Sequence, residues 1–155
     1  MSARTRFVAF ALEQIGKPVL WGRKGPEAFD CSGLVTASYF GIGGKDLRSK
    51  YNSQRLSDET PNLESSRPEL VEALPGDLLF YGLGPDHVEH VAIVLAGGRS
   101  LSADGATQHH LDIRVAEANP RCRVRIHERF NFRLDLPYRA VHRNTFVDLL
   151  DGISL

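Results

Sequence analysis

The chain has 155 residues, of which 42% are hydrophobic and 25% charged, and its 19 basic and 19 acidic side chains give a net charge of zero. This length fits one globular domain that folds around its own core without needing a metal or a disulfide. The charge balance argues against a generally basic nucleic-acid-binding protein, no apolar run approaches the roughly 18 residues of a membrane span, and two cysteines are too few for a disulfide scaffold.

The first part of the chain is predicted to form two helices. Apolar side chains recur at helical spacing across residues 4–15, and Gly16 follows them as a typical helix stop. Asp30 can cap a second helix that runs from Cys31 to about Phe40 and ends at Gly41. The residues after this helix, 45–74, are polar and are predicted to form a solvated excursion with little regular structure.

Beyond residue 76 the pattern is typical of short strands separated by turns that contain glycine. The predicted strands are residues 77–81, 89–96, 99–104, 121–127 and 138–141. The two glycines between the second and third strands predict a tight hairpin. Helices followed by strands predict an α+β domain with N-terminal helices packed on one face of a central antiparallel sheet.

The two cysteines stand in different settings. Cys31 lies at the predicted first turn of a helix, where unpaired backbone N–H groups and the helix dipole favour a thiolate. The same N–H groups could hold the oxyanion of a tetrahedral intermediate. The alternative is that Cys31 is a buried structural cysteine. Cys122 lies on the inward face of a strand that alternates with arginine, and we interpret it as structural.

A nucleophilic cysteine needs a base, which is normally a histidine. His90 opens a predicted strand that would fix its ring, although a satisfied core histidine is the alternative there. His87 lies in the preceding loop, and the other histidines are predicted to lie at the surface: His109, His110, His127 and His142. The pair His87 and His90 lacks the context of a zinc site, so no metal or other cofactor is predicted.

Four blocks of the sequence then occur in an order known from one family. They are Trp21-Gly22, residues 29–35 (FDCSGLV), residues 74–81 (LPGDLLFY) and residues 90–94 (HVAIV). In these blocks the chain resembles the NlpC-type cell-wall cysteine peptidases, which are papain-like peptidoglycan hydrolases. The resemblance spans about two-thirds of the chain and implies a papain-like NlpC-type domain over residues 1–145.

The resemblance also implies a reaction. Cys31 would be the nucleophile and His90 its base, and the substrate would be an amide bond in the stem peptide of peptidoglycan, usually the bond from γ-D-glutamyl to the diamino acid. Asp30, Ser32 and Trp21 would contact the substrate, although Asp30 could serve only as a helix cap.

The chain departs from the family pattern at two positions. A third polar residue usually follows the base by about twelve positions and orients its ring; spacing favours Ser102, whereas the better acceptor chemistry favours Asp104 on the same strand face. Both remain candidates. A tyrosine often lines the specificity pocket where this chain has Val19, which leaves the choice of stem-peptide bond open.

Features at the two ends of the chain bear on location and partners. The N-terminus does not show a signal-peptide pattern, and the later region is similar to phage and prophage members of the family. We therefore expect a virion tail location with tail-tip or hub proteins as partners, or else a cytoplasmic protein until its release. Residues 146–155 carry an apolar helical stripe, consisting of Phe146, Leu149, Leu150 and Ile153, that either folds back on the domain or docks on a partner.

Other functions stay open at this point. The same cysteine and histidine could serve a papain-like amidase or acyltransferase acting on another amide. A structural tail component whose peptidase site has decayed is a different class, but Cys31 and His90 are both present. Nucleic-acid binding is disfavoured, because a strand with one charged face is usually only solvated.

Overall fold

The computed structural model describes residues 1–63, 73–104, 122–128 and 136–152. The helices are α1 (Ala3–Leu12), α2 (Cys31–Gly41), α3 (Ser53–Asp58) and α4 (Thr145–Leu150). The strands are β1 (Leu78–Gly84), β2 (His87–Val94), β3 (Ser100–Asp104), β4 (Arg123–His127) and β5 (Tyr138–His142). None of the helices in these ranges is both long enough and apolar enough to cross a membrane.

The five strands form one antiparallel sheet in the order β4-β3-β2-β1-β5. Along β1, Leu78 and Phe80 join the core shared with the helices, while Leu79 and Tyr81 join a second apolar cluster. Successive side chains of a strand point to opposite faces, so β1 is covered on both faces of the sheet. Helix α2 packs on β2 and β3, and α1 packs on α2. The predicted α+β class, with N-terminal helices on an antiparallel sheet, is confirmed.

Helix α2 is buried nearly all round, unlike the amphipathic helix of a domain surface. Its residues Ser32–Tyr39 are all buried, among them the hydroxyl side chains of Thr36 and Ser38. Thr36 Oγ1 donates to the Ser32 carbonyl at 2.9 Å, and Ser38 Oγ donates to the Leu34 carbonyl at 2.6 Å. Because these hydroxyls bond within the helix, they are buried without loss of a hydrogen bond. The helix is therefore a fixed support for its first residue.

The carboxylate of Asp77 joins distant parts of the chain at the start of β1. Asp77 is fully buried, and its oxygens pair with Arg4 Nη1 at 2.8 Å and Arg143 Nη1 at 3.0 Å. The backbone N–H groups of Leu74 and Asn144 donate to the same carboxylate at 2.8 and 3.0 Å. Helix α1, strand β1 and the segment between β5 and α4 are thereby held together.

Three expectations about secondary structure differ from what the structure shows. Helix α1 ends at Leu12 instead of continuing to residue 15. Helix α3 lies inside the stretch predicted to lack regular structure; it is capped by Asn52 and is anchored by the buried Leu56, and six residues are too short to show a helical period. The connection from β2 to β3 contains a 3-10 turn over Ala96–Gly98, so it is longer than the expected two-residue hairpin turn.

The C-terminal segment folds back on the domain as far as the structure describes it. Phe146 packs against the rings of Tyr39 and Tyr51, with centroid distances of 5.6 and 5.8 Å, and Val147 is fully buried. Asp148 accepts from Arg4 at 3.0 Å. Two residues of the predicted apolar stripe, Leu149 and Leu150, are instead exposed, and Ile153 lies outside the described residues.

We expect Asp77→Asn to destabilise the fold by about 3–5 kcal/mol, because it removes the buried negative charge that Arg4 and Arg143 share. The free energy of unfolding from urea titration checks this. Asp46→Asn is the control, since Asp46 pairs with Arg48 at the surface and its loss should change little. Equal stability of Asp77→Asn and the unchanged chain would contradict the role given to this carboxylate.

A second expectation concerns the C-terminal segment. Truncation after Thr145 removes Phe146 and Val147 from the core and exposes the rings of Tyr39 and Tyr51. The truncated chain should melt at a lower temperature and aggregate, whereas truncation after Gly152 should be tolerated. Thermal unfolding and size-exclusion chromatography check both. If truncation after Thr145 left the melting temperature unchanged, the C-terminal segment would contribute no packing energy.

Candidate active site

Cys31 is the first residue of α2, as the sequence predicts. Asp30 precedes it with extended backbone (φ −91°, ψ 179°), and its Oδ1 accepts from the Gly33 N–H at 2.6 Å. The Cys31 side chain is half-buried and packs against the main core. The cap and the buried body of α2 therefore fix the position of this thiol.

The loop before α2 crosses closely over the first turn of the helix. Asp30 N–H donates to the Arg23 carbonyl at 2.6 Å, and Leu20 N–H donates to the Phe29 carbonyl at 3.0 Å. A Cβ atom at position 33 would collide with the Arg23 carbonyl oxygen and with Asp30 Oδ1. Only glycine leaves room for the loop at this point, which accounts for Gly33 beside the cysteine.

Asp30 and Ser32 point into a network within the protein. Lys24 Nζ lies 3.0 Å from each Asp30 oxygen and 3.0 Å from Ser32 Oγ. Gly22 N–H donates to Asp30 Oδ2 at 3.1 Å, and Ser32 is buried. The capping role considered for Asp30 is thus present in the structure. Substrate contact by Asp30 and Ser32 stays a prediction, and sequence reasoning missed Lys24.

The electrostatics of the Cys31 thiol reverse one expectation. Burial, with a smaller contribution from the negative charge of Asp30, raises the pKa of Cys31 from 9.0 to about 11. The backbone N–H groups of Val91 and Ser32 and the charge of Lys24 lower the pKa, but they do not compensate. The expectation that the helix start favours a thiolate is therefore wrong in its net direction. With this pKa, Cys31 is mainly a thiol at neutral pH.

His90 lies on β2, the strand whose residue Val91 approaches the cysteine. The His90 side chain is buried, pairs across the sheet with Tyr81, and has its ring centroid 5.8 Å from that of Tyr81. The Val91 N–H lowers the pKa of Cys31, so this part of β2 lies next to the start of α2. Cys31 and His90, which are far apart in sequence, thus lie on elements that contact each other, and their roles as thiol and base stay a prediction.

The two candidates for the orienting residue both lie on β3. Ser102 is fully buried, and its Oγ makes no hydrogen bond with any residue in the described part of the chain. Within that part, β2 and β3 pair at Ile93–Leu101 and Val94–Ser100. Asp104 ends β3, where its backbone pairs with Arg123 of β4. The role of either residue as the group that orients His90 stays a prediction.

The remaining site positions lie in the loop before α2. The Trp21 side chain is 71% exposed directly beside Gly22, so its indole is open to a ligand. Val19, which replaces the pocket tyrosine of the family pattern, is 2% exposed and belongs to the core. It therefore supplies no polar group to a pocket.

The sequence predicts that the other histidines lie at the surface or in a loop, and the structure departs from this at His142. His142 was predicted to be exposed, but it is buried on β5, with its ring 4.7 Å from that of Phe80 and its Nδ1 2.9 Å from the Thr60 carbonyl. His127 is half-buried, and His109 and His110 lie outside the described residues. His87 is exposed and lies 3.0 Å from Glu89. The described ranges do not contain a group of three side chains suited to a metal ion.

The fold, together with solved structures that are similar to it, defines the class of protein. A buried helix that carries a cysteine at its start and packs on an antiparallel sheet is the papain-like architecture. The NlpC/p60 domain of the peptidoglycan hydrolase SagA matches with a TM-score of 0.59 and 29% identity over 80% of this chain and 87% of that one. RipD from Mycobacterium tuberculosis, described as a non-catalytic NlpC/p60 domain protein, shares the fold with a TM-score of 0.65 and 21% identity over 93% of this chain and 98% of its own.

The family follows from the sequence match. The profile of the NlpC/P60 family matches residues 16–124, and the chain belongs to this family.

Curated relatives match over part of their length. The chain is 32% identical over 99 residues to the probable endopeptidase p60 of Listeria grayi, covering 61% of this chain and 17% of the relative. Murein DD-endopeptidase MepH of Escherichia coli is 36% identical over 95 residues, which are 59% of this chain and 33% of the relative. Peptidoglycan endopeptidase RipA of Mycobacterium tuberculosis is 33% identical over 118 residues, which are 68% of this chain and 22% of the relative. The chain thus spans a third or less of these relatives.

The buried His142 gives an expected pH dependence of stability. Burial lowers the pKa of His142 below its ordinary value of 6.5, so the unfolded chain binds a proton more readily than the folded one. Stability is therefore fully present above about pH 6.5 and is lost as the pH falls through the folded pKa. Urea titrations at several pH values should show this slope, and His142→Asn should flatten it. The same slope in both chains would assign the acid sensitivity to other groups.

Proposed function

We propose that this chain is a peptidoglycan endopeptidase domain that cleaves an amide bond of the stem peptide through Cys31. The observation that carries the proposal is the placement of Cys31 at the start of α2, facing the β2 segment that holds His90 and Val91. Family membership supports it, since the relatives above are named as endopeptidases of murein or peptidoglycan.

The mechanism follows from a thiol that is neutral before substrate binds. His90 removes the thiol proton as the Cys31 sulfur attacks the carbonyl carbon, and the electron pair of the carbonyl moves onto its oxygen. Backbone N–H groups at the start of α2 stabilise that oxyanion. His90 then returns the proton to the departing amine. Water, deprotonated by His90, attacks the acyl carbon and releases the acid, and His90 gives that proton back to the departing Cys31 sulfur.

For substrate choice we propose the bond from γ-D-glutamyl to the diamino acid, following the family resemblance. The exposed indole of Trp21 offers an apolar surface on the loop before α2, and the buried Val19 leaves the pocket without a tyrosine hydroxyl. Cleavage of a D,D bond, the activity in the name of MepH, is the competing outcome. The masses of the released fragments distinguish the two.

The place of action proposed here is a phage or prophage tail, with tail-tip or hub proteins as partners. The support is the similarity of the later sequence to phage members of the family. Most of that region lies outside the described residues, and Phe146 packs on the domain itself. A docking contact of α4 would therefore use its exposed Leu149 and Leu150. Co-purification with tail proteins tests this. The unchanged chain should co-purify with them, and the Leu149→Ser/Leu150→Ser variant should not.

We expect Cys31→Ala to reduce release of soluble fragments from purified peptidoglycan by at least about 10³-fold, because a covalent nucleophile is lost. Cys122→Ser is the matched control: Cys122 is fully buried immediately before β4, where its carbonyl accepts from the Val19 N–H, and most activity should remain. Mass spectrometry of the released fragments measures both. Near-normal turnover by Cys31→Ala would overturn the proposed mechanism.

A binding domain without catalysis is the second candidate, because the non-catalytic RipD shares the fold. In that case the unchanged chain and Cys31→Ala would both bind insoluble peptidoglycan and neither would release fragments. The presence of Cys31 and His90 in elements that meet favours catalysis. A pull-down with insoluble peptidoglycan, run beside the release assay, separates the two functions and also shows that Cys31→Ala is folded.

A further inference from the structure

Lys24 lies in the loop before α2 and extends its ammonium group onto the start of that helix. Its Nζ is 3.0 Å from both carboxylate oxygens of Asp30 and 3.0 Å from Ser32 Oγ. The side chains of the ion pair are 27% and 17% exposed, for Lys24 and Asp30 respectively. This pair is therefore better shielded from water than the ordinary surface pairs, whose contribution is small.

The ion pair borders the nucleophile. Asp30 and Ser32 are the sequence neighbours of Cys31, and Lys24 contacts the side chains of both. The negative charge of Asp30 raises the pKa of the Cys31 thiol, and the positive charge of Lys24 lowers it.

Charged groups on the elements packed against α2 lie elsewhere. On α1, Arg6 donates to the Ile42 carbonyl beyond the far end of α2. On α3, Arg55 pairs with Glu59. Strand β2 contributes His90, the base of the proposed reaction. Within the described residues, Lys24 is thus the cation positioned to offset Asp30 at the nucleophile.

The start of α2 poses a conflict between folding and chemistry. An aspartate is among the best caps, because its carboxylate accepts from an unpaired N–H of the first turn. The same carboxylate lies one residue from the sulfur that must become negatively charged during attack, and a like charge at this range opposes ionisation.

We propose that Lys24 resolves this conflict as a positioning residue of the reaction: its ammonium neutralises the Asp30 cap, so that the fold keeps its carboxylate and Cys31 can still ionise. The proposal rests on the proposed function of Cys31 as a nucleophile. It assigns no direct contact between Lys24 and the substrate.

A purely mechanical role is the alternative, in which Lys24 only tethers the loop. Lys17 supplies the matched comparison, because its Nζ tethers the same loop through neutral acceptors, donating to the Pro26 carbonyl at 2.8 Å and to Gln14 Oε1 at 2.6 Å. Lys17→Met therefore loosens the loop without removing the partner of a carboxylate.

The test is the rate of Cys31 alkylation by iodoacetamide between about pH 7 and pH 9, followed by mass spectrometry of the Cys31 peptide. Below the thiol pKa, the thiolate fraction falls tenfold for each unit by which the pKa rises, and the higher nucleophilicity of the more basic thiolate offsets part of the loss. We expect Lys24→Met to slow alkylation roughly two- to threefold across this range. Lys24→Arg and Lys17→Met should match the unchanged chain.

The double variant Lys24→Met/Asp30→Asn decides between charge and tether. Asparagine caps a helix as well as aspartate does, so removing both charges should restore the rate if neutralisation is the role. An unchanged rate in Lys24→Met, or an equally slow double variant, overturns the proposal.

The single variant Asp30→Asn remains informative should Lys24→Met fail to fold. It should alkylate faster than the unchanged chain, because the opposing charge is removed and Lys24 remains; a slower rate would overturn the proposal. The readout needs no peptidoglycan. Failure of the fragment-release assay therefore counts against the proposed function alone, and failure here counts against the role of Lys24 alone.

Discussion

The carboxylate of Asp30 is the interaction on which the candidate site depends. It accepts from the Gly33 N–H, which starts α2, and from the Gly22 N–H, which holds the preceding loop. The helix it starts is buried nearly all round, so its first residue has little freedom to move. The position of Cys31 relative to the sheet follows from this one cap, together with the space that Gly33 leaves for the loop.

A second carboxylate, that of the fully buried Asp77, holds distant parts of the chain together. Asp77 binds Arg4 of α1 and Arg143 beyond β5, so that the first helix and the C-terminal segment are fixed to the start of β1. The chemistry of the two sites is alike: each carboxylate takes cationic partners together with backbone N–H donors. A buried charge that is paired and hydrogen-bonded in this way is tolerated, and removal of one partner is costly.

Much of the architecture could be predicted from local sequence. The start of α2 at Cys31 follows from Asp30 as a cap and from the glycines that end the helix, and the five strands follow from apolar segments between turns. Helix α3 escaped prediction because only Leu56 anchors it in the core. The burial of His142 depends on Thr60 and Phe80, partners more than sixty residues away in sequence, which no local pattern shows.

The electrostatic part of the site was the least accessible to sequence reasoning. The helix start does act on Cys31 in the predicted direction, but burial outweighs it, and burial depends on the packing of α2 against the sheet. Lys24 carried no recognisable signal, since a lysine in a polar loop is usually solvated. Its significance is visible only when the loop is folded over Asp30 and Ser32.

A protonated Cys31 also has a consequence for the sensitivity of the protein to oxidation. The thiolate, and not the thiol, is the form that peroxides oxidise and that exchanges with disulfides. A Cys31 thiol whose pKa is raised to about 11 presents that form rarely at neutral pH. If Cys31 acts as proposed, its sulfur is protected from oxidants while no substrate is bound, and its deprotonation is left to the moment when an amide lies in place.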